Sequence, residues 1–341
     1  MIRFVVPAVQ SHTVVSIRDR MPAGDASRID LVCLADLAQA RELPAATYVF
    51  GGLERATDYG RALAQEVWSQ LARAGGLRLL NDPHRFLSRH DLLLRLHDAG
   101  INRHRAYRIS DLTTADPKYP AFFRRDSEHG GNLTELLHSK KEVDRALRGL
   151  VRRSFDPDDL ILVEFRDTSD TDGIYRKYSA CRVGSTVFAA QLDYSDHWAV
   201  KRYPRQLPVS PEDPLTQRLV GEEYVYVTDN PHERAISEIF DLAELDYGRV
   251  DYSLLDGKPC VWEINSAPFY GRPPSVKRTP MQRQLGEMRF PAKEIANRVF
   301  AAALQAIDSP VEGRSIPIEI DEALRARILA AEEEGVRQLR R

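Results

Sequence analysis

The stretch RVDYSLLDGKPCVWEINSAP, residues 249–268, decides how the C-terminal part of the chain folds. Asp256-Gly257 separates two runs rich in β-branched, aromatic and aliphatic residues, which predicts a β-hairpin. A two-residue turn would place Asp251 opposite Trp262 and would turn Glu263 to the other face. A loop that is one residue longer would place Asp251 opposite Glu263 on the same face.

The longer loop, Asp256–Lys258, would bring three oxygen-bearing side chains together, because Asn265 then shares a face with Asp251 and Glu263. Such a grouping is costly without a cation, since like charges repel and buried carboxylates lose solvation. Magnesium accepts these donors and leaves coordination positions for phosphate oxygens. The alternative is that Asp251 caps a strand end and Glu263 is exposed. The position of Glu263 inside the apolar run Val261–Ile264 argues against that alternative.

Composition places the chain among ordinary globular proteins. Its 341 residues are enough for two or three packed units, with 43% hydrophobic and 29% charged residues. The 48 Lys and Arg residues nearly balance the 50 Asp and Glu residues. Binders of nucleic acid or membrane surfaces use a net basic surface, so neither class is expected, although a local basic cleft is compatible with these numbers.

Cysteines and histidines show no metal-site spacing. The three cysteines lie in apolar stretches without a CxxC pair, which is typical of buried reduced thiols. No histidine pair has HExxH spacing, so a zinc site is not expected. His129 and His197 are the two histidine candidates for an active site. The chain has no apolar run of the ~18 residues that a membrane span needs and no signal-peptide pattern, so a cytoplasmic location is expected.

The order of apolar patterns predicts an α/β protein of four parts. Residues 1–80 predict a small parallel α/β domain, residues 81–158 a small lobe, and residues 159–308 a C-terminal lobe. Residues 309–341 predict a charged helical tail, for which surface packing, fraying and partner binding are all open. The predicted strands are Ile2–Val6, Leu31–Leu34, Thr47–Phe50, Tyr119–Arg124, Leu160–Phe165, Tyr178–Val183, Thr186–Gln191, Arg249–Leu255 and Cys260–Ile264.

Helix signals are clearest where a cap precedes an apolar stripe. One predicted helix begins at about Asp58, and a second spans Arg89–Ala99 after the Ser88 cap. A third includes Leu136 through Leu150, a fourth begins at Pro231 after an Asn230 cap, and a fifth spans Ala292–Ile307. The proline-rich segment Tyr203–Pro214 predicts a loop.

The Asp251, Glu263 and Asn265 pattern in VDYSLLDGKPCVWEIN resembles the ATP-grasp family, which includes D-alanine–D-alanine ligase, glutathione synthetase and bacterial glutamyl ligases. The resemblance covers roughly residues 81–308. It implies an α/β (α+β) fold in which two α+β lobes clamp ATP behind a small N-terminal α/β domain. It also implies that these three residues hold Mg²⁺, or Mn²⁺, at the ATP phosphates.

Further roles follow from the same resemblance. Arg124, in YPAFFR, and Arg89 stand where the family has phosphate-contacting lysines, and Leu160–Phe165 resembles the hinge beside adenine. Lys201 resembles a lysine that approaches the phosphates, and Arg182 lies near a position for charged groups that face the nucleotide. The expected nucleotide-binding residues are Arg89, Arg124, Val163, Glu164, Phe165, Lys177 and Lys201. The expected catalytic residues are Arg124, Lys201, Arg202 and Asn265.

Two features depart from the family pattern. Arginine replaces lysine at two positions, which keeps the charge and permits a bidentate grip on phosphate. The phosphate loop has only Gly130-Gly131, in RRDSEHGGN, although such a loop needs glycine where the backbone approaches phosphate closely. The chain therefore resembles a divergent branch of the family.

The resemblance implies an ADP-forming carboxylate–amine ligase that works through an acyl phosphate. Its expected partners are a small carboxylic acid, amino acid or peptide and an amine acceptor, with no nucleic acid or membrane, and self-association is open. A small-molecule kinase and a non-catalytic nucleotide-binding regulatory or scaffold protein are the alternatives. The candidates for binding an anionic substrate, each of which could instead be a solvated surface group, are Arg152, Arg153, Arg202, Arg205 and Arg272.

Overall fold

The computed structural model describes residues 1–21, 23–128, 130–200, 206–207, 210–270, 279–308 and 313–339. Its N-terminal unit contains β1 (Ile2–Val6), α1 (Ser11–Arg18), α2 (Ala23–Ala26), β2 (Ile29–Cys33), α3 (Leu34–Gln39), β3 (Glu42–Pro44), β4 (Thr47–Phe50), α4 (Asp58–Ala74) and β5 (Leu79–Leu80). Four strands form a parallel sheet of order β2-β1-β4-β5. The predicted small parallel α/β unit is confirmed.

Helix α4 follows from its sequence pattern. Thr57 caps it, because the Thr57 hydroxyl accepts a hydrogen bond from the Gly60 amide at 3.1 Å. Leu63, Val67 and Leu71 recur at helical spacing and are fully buried against the parallel sheet. The predicted start of this helix at Asp58 is confirmed.

The small lobe contains α5 (Arg89–Asp98), β6 (Ala106–Arg108), β7 (Ala121–Arg125), α6 (Lys140–Arg152) and β8 (Leu160–Glu164). Its three strands form an antiparallel sheet of order β6-β8-β7. The Ser88 hydroxyl accepts from the Asp91 amide at 3.2 Å, as the capping pattern predicts. The prediction that Leu136 and Leu137 belong to the second helix is wrong. Helix α6 begins after the Ser139 cap, and Leu137 instead bridges to Ala121 beside β7.

The C-terminal lobe contains β9 (Tyr175–Val183), β10 (Thr186–Ser195), β11 (Gln206–Leu207), α7 (Pro214–Asp229), α8 (Glu233–Leu242), β12 (Tyr247–Leu255), β13 (Lys258–Asn265), α9 (Pro280–Met288) and α10 (Phe290–Ile307). Its sheet is antiparallel with the order β11-β10-β9-β12-β13. Phe300, Leu304 and Ile307 of α10 pack against Phe4 and Val6 of β1. One core therefore joins this lobe to the N-terminal unit.

The role predicted for Asn230 is wrong. Asn230 ends α7 in the left-handed conformation (φ 45°) and does not cap the start of α8, which has His232 at that position. Asparagine tolerates this conformation better than most residues. Its side-chain amide donates to the Val187 carbonyl oxygen at 3.0 Å, which ties the end of α7 to β10.

The β12–β13 hairpin has the predicted pairing but not the predicted turn. Asp256 and Gly257 both have positive φ (51° and 73°), as a two-residue type I′ turn requires, so the three-residue loop is wrong. Asp251 nevertheless lies opposite Glu263, because a β-bulge leaves Trp262 as an extra residue on β13. A bulge bends its strand and re-aims side chains. Here it brings both carboxylates to one face.

The C-terminal segment returns to the N-terminal unit. Strand β14 (Ser315–Pro317) pairs antiparallel with β3, and α11 (Glu322–Leu339) follows it. Ile316 and Ile328 are buried in the same core as α3 and α4. None of the described helices is long and apolar enough to cross a membrane.

Candidate nucleotide-binding cleft

A cleft of about 740 Å³, open to solvent, lies between the small-lobe sheet and the C-terminal sheet. Its aromatic wall consists of Phe122, Phe165 and Trp198. Trp198 lies 5.0 Å from the Phe122 ring and 5.6 Å from the Phe165 ring, measured between centroids. The opposite wall is charged. The cleft therefore offers an aromatic wall beside a polar floor, the combination that small-molecule sites use.

Asp251 lies at the centre of the polar floor. Strand pairing sets it between Ser179 of β9 and Glu263 of β13. The Ser179 hydroxyl donates to Asp251 Oδ1 at 2.8 Å. Arg249 Nε lies 3.2 Å from Oδ1, and Lys177 Nζ lies 3.5 Å from Oδ2. The carboxylate is thus buried but surrounded by donors, as an ionised group requires.

Glu263 is held by both arginines that the sequence singles out. Its Oε2 accepts from Arg124 Nη2 at 2.6 Å and from Arg89 Nη2 at 3.0 Å. Arg89 also donates to the backbone carbonyl oxygens of Arg125 and Asp126. Burial, followed by repulsion from Arg89, lowers the pKa of Arg124 to about 10. Arg124 stays protonated at neutral pH, although its charge is less stabilised than that of an exposed arginine.

The cluster is rich in positive charge. The cations that pair with Asp251 or Glu263 in the described part of the chain are Arg89, Arg124, Lys177 and Arg249. Asp193 pairs with Lys177 and also with Arg289. Arg124 lines the cleft, and its buried Nε has no hydrogen-bond partner among the described residues. A cleft lined by a buried guanidinium group with an unused hydrogen-bond donor suits an anionic ligand such as phosphate.

The three predicted metal ligands share one sheet face, since Asp251 lies opposite Glu263 and Asn265 lies opposite Arg249. Their donor atoms are two carboxylates and an amide oxygen, which is the chemistry that Mg²⁺ prefers. Asn265 Oδ1 accepts from the Ala267 amide at 2.9 Å. The described residues contain no group of three His, Cys, Asp or Glu side chains placed to hold a metal. Any metal here would need Asn265 or ligand oxygens as well.

The hinge residues point to two sides. Val163 is buried in a small core with Leu93 and Ile161, and Phe165 packs against this core and lines the cleft. The carboxylate of Glu164 faces away from the cleft and is 3% exposed. It accepts from Tyr107 Oη at 2.9 Å, and the further donors to it are the Lys118 amide, the Arg105 amide and the Arg166 guanidinium.

Glu164→Gln is therefore expected to lower stability and not to change nucleotide selectivity. The variant replaces an acceptor-only carboxylate by an amide whose NH₂ group must face donors. We expect the free energy of unfolding to fall by about 3 kcal/mol, because the variant breaks a buried ion pair with Arg166. Urea denaturation measures this change. Glu238→Gln, which removes an exposed pair with Arg234, should change stability by less than about 0.5 kcal/mol, and equal effects would contradict this role of Glu164.

The remaining predicted residues separate into clear groups. Lys177 lines the cleft, whereas Arg182, on the other face of β9, pairs with Asp241 away from it. His197 lies beside the aromatic wall through its ring contact with Trp198. The exposed residues at the end of α6 are Arg152 and Arg153. The predicted residues that lie outside the described part of the chain are His129, Lys201, Arg202, Arg205 and Arg272.

No protein-family model and no curated protein matches the chain. Similar solved structures include D-alanine–D-alanine ligase from Bacillus anthracis complexed with ATP, at 12% identity, covering 90% of this chain and 98% of that chain, with a TM-score of 0.46. D-alanine–D-alanine ligase from Coxiella burnetii gives 13% identity, coverages of 90% and 96%, and a TM-score of 0.48. A RimK domain ATP-grasp protein from Sphaerobacter thermophilus DSM 20745 gives 14% identity, coverages of 87% of this chain and 98% of that chain, and a TM-score of 0.42.

The chain is thus structurally similar to ATP-grasp ligases over most of its length, at low sequence identity. The predicted α/β (α+β) fold is confirmed, and the structure shows a parallel N-terminal sheet followed by antiparallel sheets. This similarity concerns the fold alone, so any functional assignment rests on the side chains of the cleft.

Several cleft residues are missing from the sequence prediction. Arg249 precedes Asp251 by two positions, so strand alternation alone places both on one face. Ser179 likewise follows Lys177 by two positions on β9, so alternation places these two side chains on one face. No local signal identifies Trp198 and Trp262, because their places in the cleft depend on a loop and a bulge.

The N-terminal unit contacts the segment that follows Asn265. The Gly52 amide donates to the Ser266 hydroxyl at 2.9 Å. A Cβ on Gly51 would lie 2.4 Å from the Ser266 carbonyl oxygen, so only glycine fits at this approach. The carboxyl end of β4 therefore packs directly against the end of the carboxylate hairpin.

Proposed function

We propose that this protein is an ATP-dependent carboxylate–amine ligase that forms an acyl phosphate. The observation that carries the proposal is the buried cluster in which Arg89, Arg124 and Lys177 meet Asp251 and Glu263 at the floor of the cleft. Phosphoryl transfer needs positioning and charge neutralisation more than covalent help from the protein. This cluster supplies both cations and oxygen donors within one water-poor site.

The side chains of the cleft divide the work. Phe165 and Trp198 offer aromatic faces on which a base can stack, while Arg124 and Lys177 lie where phosphate oxygens would meet positive charge. Arg89 is fixed by two backbone carbonyl oxygens and would hold its charge without reorganisation. Asp251, Glu263 and Asn265 would hold Mg²⁺, which when bound neutralises phosphate charge and polarises the transferred group.

The reaction has two steps. A substrate carboxylate oxygen attacks the γ-phosphorus of ATP, the bond to the β,γ-bridging oxygen breaks, and ADP leaves. An amine nitrogen then attacks the acyl carbon, phosphate leaves, the nitrogen loses a proton, and an amide remains. Acyl phosphates hydrolyse readily, so closure of the small lobe over the cleft would serve to exclude water. Lys201 keeps its assignment from the sequence resemblance, and Arg202, which flanks it, stays a candidate for binding the substrate carboxylate.

A second candidate function is nucleotide binding without turnover. The pairing of Glu263 with two arginines favours it, because these groups already neutralise one another. A metal at Glu263 would require the arginines to exchange this carboxylate for phosphate oxygens. A protein that uses ATP only as a bound ligand has no need of that exchange.

A screen for ADP release distinguishes these functions. The purified protein is incubated with magnesium ATP and with amino acids, dipeptides and small acids, singly and in pairs. ADP that appears only when an acid and an amine are both present supports the ligase. A stable phosphorylated product indicates a kinase. Tight ATP binding without ADP under any condition would replace the ligase by the binding function.

A further inference from the structure

The bulge at Trp262 is the feature that places Glu263 in the cleft. With the two-residue turn at Asp256-Gly257, regular pairing would set Asp251 opposite Trp262 and turn Glu263 to the other face. Something must therefore make the bulged pairing more stable than the regular one. Strand β13 is an edge strand, so its outer backbone groups are available to bind other parts of the chain.

Asn102 occupies this edge beside the bulge. Its Oδ1 accepts from the Val261 amide at 2.8 Å, and its Nδ2 donates to the Val261 carbonyl oxygen at 3.0 Å. Asn102 is 2% exposed, so both bonds are shielded from water. A side-chain amide that bonds both backbone groups of one residue imitates a neighbouring strand. It fixes the residue that directly precedes the bulge.

His104 contacts the residues on either side of Val261. Its ring stacks on the Trp262 indole, with centroids 4.7 Å apart and planes at 21°. Its Nδ1 lies 3.4 Å from Cys260 Sγ, and its Nε2 lies 3.3 Å from Asn102 Nδ2. Complete burial lowers the pKa of His104 to about 3, so the ring is neutral at physiological pH. Three consecutive residues of β13 are thus held from one short segment.

We propose that Asn102 and His104 are positioning residues that select the bulged pairing of β13 and thereby hold Glu263 in the cleft. Asn102 fixes the backbone before the bulge, and His104 gives the extra residue, Trp262, a stacking partner. Trp262 also donates from Nε1 to Ser253 Oγ at 3.0 Å, so its indole is held from both sides. The effect on ATP binding rests on the proposed function, whereas the effect on the hairpin does not.

The test uses Asn102→Ala, which removes both bonds to Val261, in the full-length protein. Asn81→Gly is the matched control, because Asn81 is equally buried and also bonds backbone groups, among them the Tyr247 carbonyl oxygen at 2.9 Å. Glycine suits the positive φ of 62° at Asn81. Hydrogen exchange is followed by mass spectrometry in peptides that cover 258–265, and the dissociation constant for magnesium ATP is measured by calorimetry.

Asn102→Ala should speed exchange in these peptides by about tenfold or more, because two buried hydrogen bonds are lost, and Asn81→Gly should not. It should also weaken ATP binding by about tenfold, again unlike the control. Exchange within twofold of the unmodified protein, or equal exchange in both variants, would overturn the proposal. If the unmodified protein binds no ATP, the proposed function fails while the exchange result still decides the role of Asn102.

His104→Phe provides a second variant if Asn102→Ala does not fold. Phenylalanine keeps a ring against Trp262 but removes the nitrogen contacts to Cys260 and Asn102. Exchange in the same peptides should rise, and it should rise further in His104→Ala, which also removes the stacking partner. Equal exchange in His104→Phe, His104→Ala and the unmodified protein would rule out positioning by His104.

Discussion

Glu263→Gln should abolish ADP release, with a loss of at least about 100-fold, because the variant removes an oxygen donor and frees two arginines at the phosphate end of the cleft. From sequence alone this variant is expected to keep its fold. The pairing with Arg89 and Arg124 changes that expectation, since loss of the charge leaves two buried guanidinium groups without their partner. The free energy of unfolding should therefore fall by about 3–5 kcal/mol.

The matched control is Glu223→Gln. Glu223 is also buried and also pairs with an arginine, since its Oε1 accepts from Arg289 Nη2 at 2.7 Å, and neither residue lines the cleft. It should lose comparable stability and retain ADP release below its melting temperature. Both quantities are measured on the same preparations, by urea denaturation and by coupled ADP assay. Unchanged turnover in Glu263→Gln would remove Glu263 from the site.

Arg124→Met should weaken ATP binding by about 100-fold while costing little stability. A bidentate, charge-assisted contact to phosphate is among the strongest that a side chain offers. Glu263 would keep Arg89 as its partner, and methionine fills much of the volume of an arginine stem, so the free energy of unfolding should fall by no more than about 2 kcal/mol. Calorimetry with magnesium ATP and thermal denaturation separate the two effects.

Arg153→Met is the control for charge alone. Arg153 is exposed at the end of α6, with its guanidinium 5.2 Å from the centroid of the Phe155 ring. Its removal should leave ATP affinity within about twofold, because exposed charges are screened by solvent and salt. An Arg124→Met variant that binds ATP as the unmodified protein does would contradict the placement of phosphate beside Arg124.

The carboxylate hairpin shows how far local sequence carries a prediction. Alternation places Asp251 and Glu263 on strands, and Asp256-Gly257 identifies the turn. The longer loop, predicted in order to align the carboxylates, is wrong, because a bulge aligns them instead and this bulge depends on Asn102, whose bond to Val261 spans 159 positions of the chain. The pairing of Asp251 with Glu263 is nevertheless predicted correctly, because one extra residue in the loop and one extra residue in a bulge shift the strands by the same amount.

Helix α7 was missed although its start carries a signal. Asp213 caps it, accepting from the Leu215 amide at 2.9 Å, and Pro214 is at its first position. Its buried stripe contains polar Thr216 and Glu223, which break the apolar pattern. Glu223 is tolerated there because Arg289 pairs with it and the Leu192 amide donates to it. The partner lies far along the chain, so periodicity cannot reveal it.

The charged floor of the cleft was largely predictable, whereas of its aromatic wall the sequence analysis names Phe165 but not Trp198. Arg124 lies at the end of a strand, and strand alternation places Lys177 on the same face of β9 as Ser179. Alternation along β8 places Glu164 on the side opposite to Val163, but its donors were not predictable, since they come from three separate segments. Residues in regular strands take their direction from alternation, whereas their polar partners depend on neighbours in space.

The return of β14 and α11 to the first unit has a consequence for biosynthesis. The strands that pair in the parallel sheet leave the ribosome first, but Ile316 and Ile328, which complete their core, emerge only after both lobes have been synthesised. Domains usually fold as they emerge, N-terminal first. The N-terminal unit therefore keeps part of its apolar core exposed until β14 and α11 have been made. Chaperones should accordingly bind mainly to this unit during synthesis.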